Sequence, residues 1–403
     1  MRISTANMFD TSIFKLQQRQ EQMQDSQMRL TSGKRILKAS DDPTAAARAE
    51  RSLSTIGQVD ANQRALEASR NSLRLAESAL GDSSEVLQQV SESLVAAGNA
   101  SYSDAERKAL ATKLAGLRTQ LLSVANRSDG SGGYIFGGQG SEDAPFLDLP
   151  GGVKYLGTPG SVQTGTLESF TLNVDGRATW MLARTGNGTF VTDSAPNAIT
   201  GQPAKSWIDA GRVTSPGQLT GHDYKIQIAG SGAGATYNVI DQTTGGAVAS
   251  GPFVSGKAIE FDGMAVNLSG VAEDGDTFDI TPSEPGLSVF DVIDRAVAEL
   301  NTDLRSPVAI AQSNAGRLRD IGAVMVNLQN VRSLVGEKLN NLDGSESRMA
   351  DNKLFSEQER SAAVDLDMVQ GISDFQNQQS GYDAALKTYA MVQKMSMFQY
   401  VNF

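Results

Sequence analysis

The chain has 403 residues, 39% of them hydrophobic, and a formal net charge of −11. That length allows two or three domains, and the acidic balance argues against a nucleic-acid partner. With no cysteine and a single histidine, His222, the chain excludes disulfides, thiol chemistry and a histidine-based metal cluster.

Met1 to Lys15 mixes Ser, Thr, Asn and Asp among its apolar residues. It lacks the apolar run of a cleaved secretory signal, and no run is long enough to span a bilayer. By these signs alone the expectation is a cytoplasmic protein.

The first helix is expected from about Thr5 to Leu30, with Phe9, Leu16, Met23 and Leu30 recurring every seven residues. Gly33 fits a helix C-cap, with Lys34 and Arg35 at the negative end of the dipole. After an extended link, Asp41 or Asp42 reads as an N-cap and Pro43 as the first helical residue. That helix could run to about Ala97, roughly 80 Å at 1.5 Å per residue. Its stripe is Val59, Leu66, Leu73, Leu80, Leu87 and Leu94. A parallel row of mostly small residues, including Ser69, Ala76 and Ser83, would admit a close partner backbone. Ser103 to Glu106 forms a capping box before a third helix, whose Leu110, Leu114, Leu117, Leu121 and Val124 share one face.

Texture changes after the Gly-rich run from Ser128. Residues 140–286 carry 24 of 40 glycines, 9 of 11 prolines and both tryptophans, and hold 7 basic against 16 acidic residues. Short alternating runs, such as Tyr224 to Ile228, Met264 to Leu268 and Thr277 to Ile280, are separated by Asp-Gly and Gly-Gly punctuation. This predicts an antiparallel β domain of two small lobes. Helix returns at Ser288, again after Pro307, and finally over about Leu366 to Met397. Ile321, Leu328, Val335 and Leu342 repeat the seven-residue period, as do Met368, Phe375, Tyr382 and Tyr389.

The order helices, β insert, helices predicts an α+β fold. Both chain ends form a long antiparallel, coiled-coil-like rod from which a β-rich insert projects, and the rod closes without the insert.

No catalytic, cofactor or metal site is expected. Ser32-Gly33-Lys34 lacks the upstream glycine of a P-loop, where Met28 stands instead. The Gly130–Gly138 run has no preceding strand to make a dinucleotide site, so Tyr134, Ile135 and Phe136 are expected to plug the junction of rod and insert. Glu273, Asp274, Asp276 and Asp279 read as a solvated hairpin turn in preference to a Ca²⁺ site. His222 has no nucleophile beside it in sequence and reads as a loop histidine.

Several segments together resemble the flagellin superfamily. They are Met1-Arg2-Ile3-Ser4-Thr5, Leu30-Thr31-Ser32-Gly33-Lys34-Arg35-Ile36, Ser40-Asp41-Asp42-Pro43, Tyr134-Ile135-Phe136-Gly137-Gly138 and the stretch from Asp365 to Phe403. The resemblance implies a structural subunit of the bacterial flagellum, placed in a ring between hook and filament and exported through the flagellar type III channel without a cleaved signal. That route overrides the cytoplasmic expectation. It also implies the partners: other copies of the chain, the neighbouring junction protein, flagellin and an export chaperone.

Three parts are expected: a terminal assembly coil from 1–40 with 366–403, a helical rod from 41–139 with 287–365, and an outward insert at 140–286. The assembly interface is assigned to Phe9, Leu16, Met23, Leu30, Met368, Ile372, Phe375, Tyr382, Leu386, Tyr389 and Phe398. The rod core is assigned to Val59, Leu66, Leu73, Leu80, Leu87, Leu94, Ile321, Leu328 and Val335. The alternatives are a bulk filament subunit, or a secreted enzyme or adhesin on a helical stalk.

Overall fold

A computed structural model describes residues 2–99, 101–130, 132–139 and 143–401, without the side chains of 2–9 and 395–401. The fold is α+β, with long helices at both chain ends and strands between them. The chain divides into two compact units, Met1–Arg64 with Ser345–Phe403, and Ala65–Gly344. Two long helices, α2 (Pro43–Ala97) and α6 (Pro307–Val364), contribute to both. Among the described residues no helix is long and apolar enough to cross a membrane.

In the first unit, α1 (Arg2–Ser32) packs against α7 (Met368–Val401). The pair is antiparallel, for a Cβ added at Gly371 would lie 3.1 Å from the Leu30 side chain and one at Gly381 2.5 Å from Arg19. The helix stop expected at Gly33 is there, in the left-handed region at φ +68°. Asp42 caps α2 by accepting from the Ala45 amide at 3.0 Å. Asp367 caps α7 by accepting from the Val369 amide at 2.9 Å. Ile36 is buried with Ala45, Ala49 and Ala363.

In the second unit, α3 (Asp104–Ala125) opens on the expected capping box, the Ser103 amide donating to Glu106 Oε2 at 2.7 Å. It packs against α5 (Val289–Asn301). The α6 helix runs straight through Asp343-Gly344, so one glycine does not end a helix whose seam continues on both sides. Every seventh residue from Ile321 to Ala363 is buried: Ile321, Leu328, Val335, Leu342, Met349, Ser356 and Ala363.

The strands are β1 (Phe146–Leu149), β2 (Gly152–Tyr155), β3 (Gln163–Thr164), β4 (Phe170–Thr171), β5 (Ala183–Arg184), β6 (Phe190–Ala195), β7 (Ser206–Ile208) and β8 (Arg212–Val213). They continue with β9 (Tyr224–Ala229), β10 (Thr236–Asp241), β11 (Ala247–Pro252), β12 (Ala258–Phe261), β13 (Met264–Gly270), β14 (Thr277–Pro282) and β15 (Pro285–Leu287). Between β4 and β5 lies a short helix, α4 (Gly176–Trp180).

Two sheets, ordered β11-β10-β9-β14-β6 and β12-β13-β7, face each other. Phe190, Tyr224, Ile226, Val239, Val266 and Phe278 fill one core between them. The two lobes expected from sequence are thus one sandwich-like lobe. The chain enters on β6 and leaves on β14, which pair antiparallel with Phe190 opposite Pro282.

The remaining insert residues differ from the expectation of a rod that closes without them. Trp180, on α4, is buried beside Phe136, Phe146 and Phe290, with ring centroids at 5.4, 6.4 and 6.3 Å. The Ser72 hydroxyl donates to the Leu172 carbonyl and Ser69 to Thr171, so the small-residue row on α2 receives backbone from the insert itself. Gly138 explains the Gly-Gly of the Tyr134–Gly138 motif. At φ +72° a Cβ there would sit 1.8 Å from the Thr158 carbonyl oxygen.

Candidate assembly surface

The α1–α7 pair belongs to the first unit. Along it Leu16, Met23, Leu30, Phe375, Tyr382 and Tyr389 are half-buried, while Met368, Ile372 and Leu386 are exposed. The assignments of Phe9 and Phe398 lie outside the described side chains. Two helices supply only one mutual seam, so part of each apolar stripe remains uncovered. Phe14 and Met28 are exposed on α1, and Val369 reaches 82% exposure on α7. Single exposed apolar residues are ordinary, whereas a row along a helix pair marks a surface meant to be covered.

The rod-core residues stand in a different environment. Val59, Leu66, Leu73, Leu80, Leu87, Leu94, Ile321, Leu328 and Val335 are all buried within the single chain. Ion pairs rim these helices: Lys353 with Asp60 at 2.7 Å in the first unit, and Arg70 with Asp343 at 2.9 Å in the second.

The chain passes between helices of the first unit twice, at 33–42 and at 365–367, and the two links lie side by side. Lys34 and Asp365 form an isolated antiparallel bridge. The Arg35 amide donates to the Val364 carbonyl at 2.7 Å, and the Leu366 amide to Gly33 at 2.9 Å. The Arg35 guanidinium also donates to the Ala363 carbonyl at 2.8 Å. Asp41 accepts from the Leu37 and Lys38 amides at 3.0 and 3.1 Å. Those amides, Lys38 first, hold its carboxyl below the usual range. The Ala45 amide and the Thr44 hydroxyl do the same for Asp42. The Ser-Asp-Asp-Pro sequence is therefore a loop clamp as well as a cap. Sequence reasoning found the cap; the pairing with Ala363–Leu366 left no local signal, because its partner is more than 300 positions away.

The rejected sites have structural uses. Asp276 is buried and accepts from Asn197 at 2.9 Å and Ser206 at 2.8 Å. Asp274 accepts from the Gly230 amide at 2.9 Å, and Glu273 pairs with Lys205 at 2.9 Å. His222 Nδ1 lies 2.8 Å from Asp241 Oδ2. Burial presses the Asp241 carboxyl upward, but hydrogen bonds from Thr244 and His222 outweigh it and hold the group low. Among the described residues no group of three His, Cys, Asp or Glu side chains is placed to hold a metal ion.

Residues 3–141 match the family model of the bacterial flagellin N-terminal helical region. Over 411 residues the chain is 28% identical to flagellar hook-associated protein 3 of Escherichia coli (strain K12), covering 99% of both chains. It is similar to the crystal structure of the flagellar junction protein FlgL from Legionella pneumophila, with a TM-score of 0.68 and 26% identity. That match covers 79% of this chain and 100% of the other. It is likewise similar to Xanthomonas campestris FlgL, with a TM-score of 0.65 and 28% identity over 75% of this chain and 98% of that one.

Proposed function

Because this chain belongs to the flagellin superfamily, we propose that it is a structural adaptor of the bacterial flagellum, forming the junction ring between hook and filament and accepting flagellin. The observation that carries the reading is a contrast: the apolar row on the α1–α7 pair is uncovered, whereas the stripes of α2 and α6 are buried within the single chain. An assembling subunit needs that division: a core that is complete alone, and a terminal pair that is complete only among neighbours.

On this reading residues 1–40 with 366–403 form the assembly apparatus. Leu16, Met23, Leu30, Met368, Ile372, Phe375, Tyr382, Leu386 and Tyr389 lie in the contact, and Phe9 and Phe398 extend it. Residues 41–139 with 287–365 form the supporting helices, and 140–286 the insert. The neighbours are other copies of the chain, the adjoining hook-associated protein and flagellin. A chaperone holds the terminal stripes before export, which uses no cleaved signal. The proposed role is structural and asks for no chemistry; in keeping with it, His222 lies against Asp241 and the buried Asp276 accepts from Asn197.

Purified protein offered to preformed seeds tests this reading. A junction subunit caps the seed and stops, and labelled protein on intact flagella sits at the hook–filament boundary. Elongation into long filaments, or label spread along the filament, would establish a bulk subunit instead.

A further inference from the structure

The β lobe, residues 190–282, carries its own core. Phe190, Tyr224, Ile226, Val239, Val266 and Phe278 pack with one another, and no residue of α5 or α6 joins that cluster. Two strands lying side by side tie the lobe to the rest of the second unit. β5 pairs with β15, Arg184 opposite Pro285, and β6 pairs with β14 beyond it. Between these ladders the Thr185 amide donates to the Glu284 carbonyl at 2.9 Å, and the Ser283 hydroxyl to the Thr185 carbonyl at 2.6 Å. The excursion at 186–188 belongs to the lobe, since Asn187 Nδ2 donates to the Ala210 carbonyl at 3.1 Å. The part of the neck free to bend is therefore short: 183–185 on the way in and 283–287 on the way out. Two-stranded ribbons twist more than wide sheets, and hinges are a few such residues at element ends. Gly286 has open space around it, for a Cβ there would meet nothing within 4 Å.

Two side chains of α6 bridge to the lobe. Gln312 Oε1 accepts from the Ile208 amide at 2.9 Å. The Arg319 guanidinium donates to the Thr192 carbonyl at 2.8 Å and to its hydroxyl at 3.2 Å. Around these contacts the surfaces do not meet. A cleft of about 500 Å³ separates the β6–β7 region from the first turns of α6, with Ser194, Pro203, Ala309 and Gly316 on its walls. A second, of about 310 Å³, lies between the 186–188 excursion and α6 at Gly322 and Val326. Arg319 borders both. Protein interiors close their voids, whereas small polar contacts between bodies with separate cores leave those bodies free to move.

We propose that the lobe is a hinged body held by a latch: it turns about the 183–185 and 283–287 ribbon, and Arg319 and Gln312 fix its tilt against α6. Releasing the two side chains swings β6 away from α6 and widens the clefts on either side of Arg319. The guanidinium is not left unpaired on release, because Asp320 stays 3.2 Å from it on the same helix. The lobe core remains closed in both settings, since it contains no helix residue. A subunit built this way presents its lobe at more than one tilt from one unchanged helical frame. The hinge depends on contacts within the second unit alone and goes beyond the junction reading.

The absence of cysteine makes the test direct. Spin labels are placed on the full chain at V248C and L334C, and their separation is read by pulsed electron resonance. Val248 is exposed on β11, the strand farthest from β6 in its sheet, and Leu334 is exposed on α6. In the otherwise native chain the distance distribution should be narrow. Gln312→Met with Arg319→Met keeps side-chain length and helix propensity but removes the bridging groups. That change should at least double the width of the distribution and lengthen its mean. The pair V248C with V271C, both exposed on the lobe, should be unaltered. Three results overturn the latch. One is an unchanged V248C/L334C distribution after both substitutions, and another is a broad one in the otherwise native chain. The third is equal broadening of the V248C/V271C pair, which would mean that the lobe core loosens instead of the lobe turning.

Discussion

Phe290→Ala is expected to loosen the aromatic junction and leave the lobe's own core in place. Phe290 is fully buried on α5, with the Phe146 ring 5.9 Å away and the Trp180 ring 6.3 Å away. Truncating such a residue costs about 3–5 kcal/mol, the larger values where the walls cannot collapse. Here the walls are two rings fixed by their own strand and helix, so about 4 kcal/mol is the working figure. With a urea slope near 3 kcal/mol per molar, the midpoint should fall by roughly 1–1.5 M. The chain has two tryptophans, and a Trp207→Phe background leaves Trp180 as the sole reporter of this cluster. Phe290→Leu, which keeps most of the volume, should cost under about 1.5 kcal/mol. A midpoint unmoved by Phe290→Ala, or a Trp180 emission indifferent to it, would refute the view that the insert's first part completes the helical core.

Leu80→Asp, placing a charge in a fully buried seam, should cost several kcal/mol in monomer melting, about the upper range for single substitutions. Leu16→Asp, at a half-buried position, should barely change melting and should block assembly; equal melting shifts would remove the distinction between core and assembly stripes. Replacing 191–281 by a short turn joining Phe190 to Pro282, which are strand partners, should leave a folded chain by circular dichroism. Deleting 150–280 removes Trp180 and Phe170 and should leave one that aggregates. Burial raises the Asp291 carboxyl, partly offset by Arg295, so its charged form opposes folding at neutral pH. Asp291→Asn should therefore raise the melting temperature at pH 7. The gain should shrink as pH falls through the raised folded value and vanish below the unfolded value of 3.8, since the wild-type group is then protonated in both states. A gain unchanged at low pH would tell against burial as the cause.

Local chemistry made the helices legible. Pro43 opens α2, Ser103 and Glu106 open α3, and Ser288 accepts from the Asp291 amide to cap α5. The period of seven from Ile321 to Leu342 picks out α6, which the structure carries on past Gly344 to Val364. Strands such as β9 and β14 were readable from alternation, but their pairing was not. They are hydrogen-bonded neighbours although about fifty residues separate them, and nothing in either run names the other. Trp180 was counted with the insert because its neighbours in sequence are glycine-rich, yet its packing partners lie on α5 and in the Tyr134–Gly138 motif.

The ion pair between Asp60 and Lys353 joins positions 293 apart, and its wide spacing sets an order in time. A chain that emerges N-terminus first presents α1, α2 and α3 long before α6 and α7 exist to cover them. The hairpins of the lobe, such as β9–β10 with Ala229 opposite Thr236, need only their immediate neighbours and can close at once. Bringing together ends some 293 residues apart costs roughly 3 kcal/mol more in chain entropy than closing a short loop. Long-range closure of this kind is slow. The long seams therefore stay open until the last hundred or so residues arrive, whereas the hairpins of the lobe do not have to wait for them.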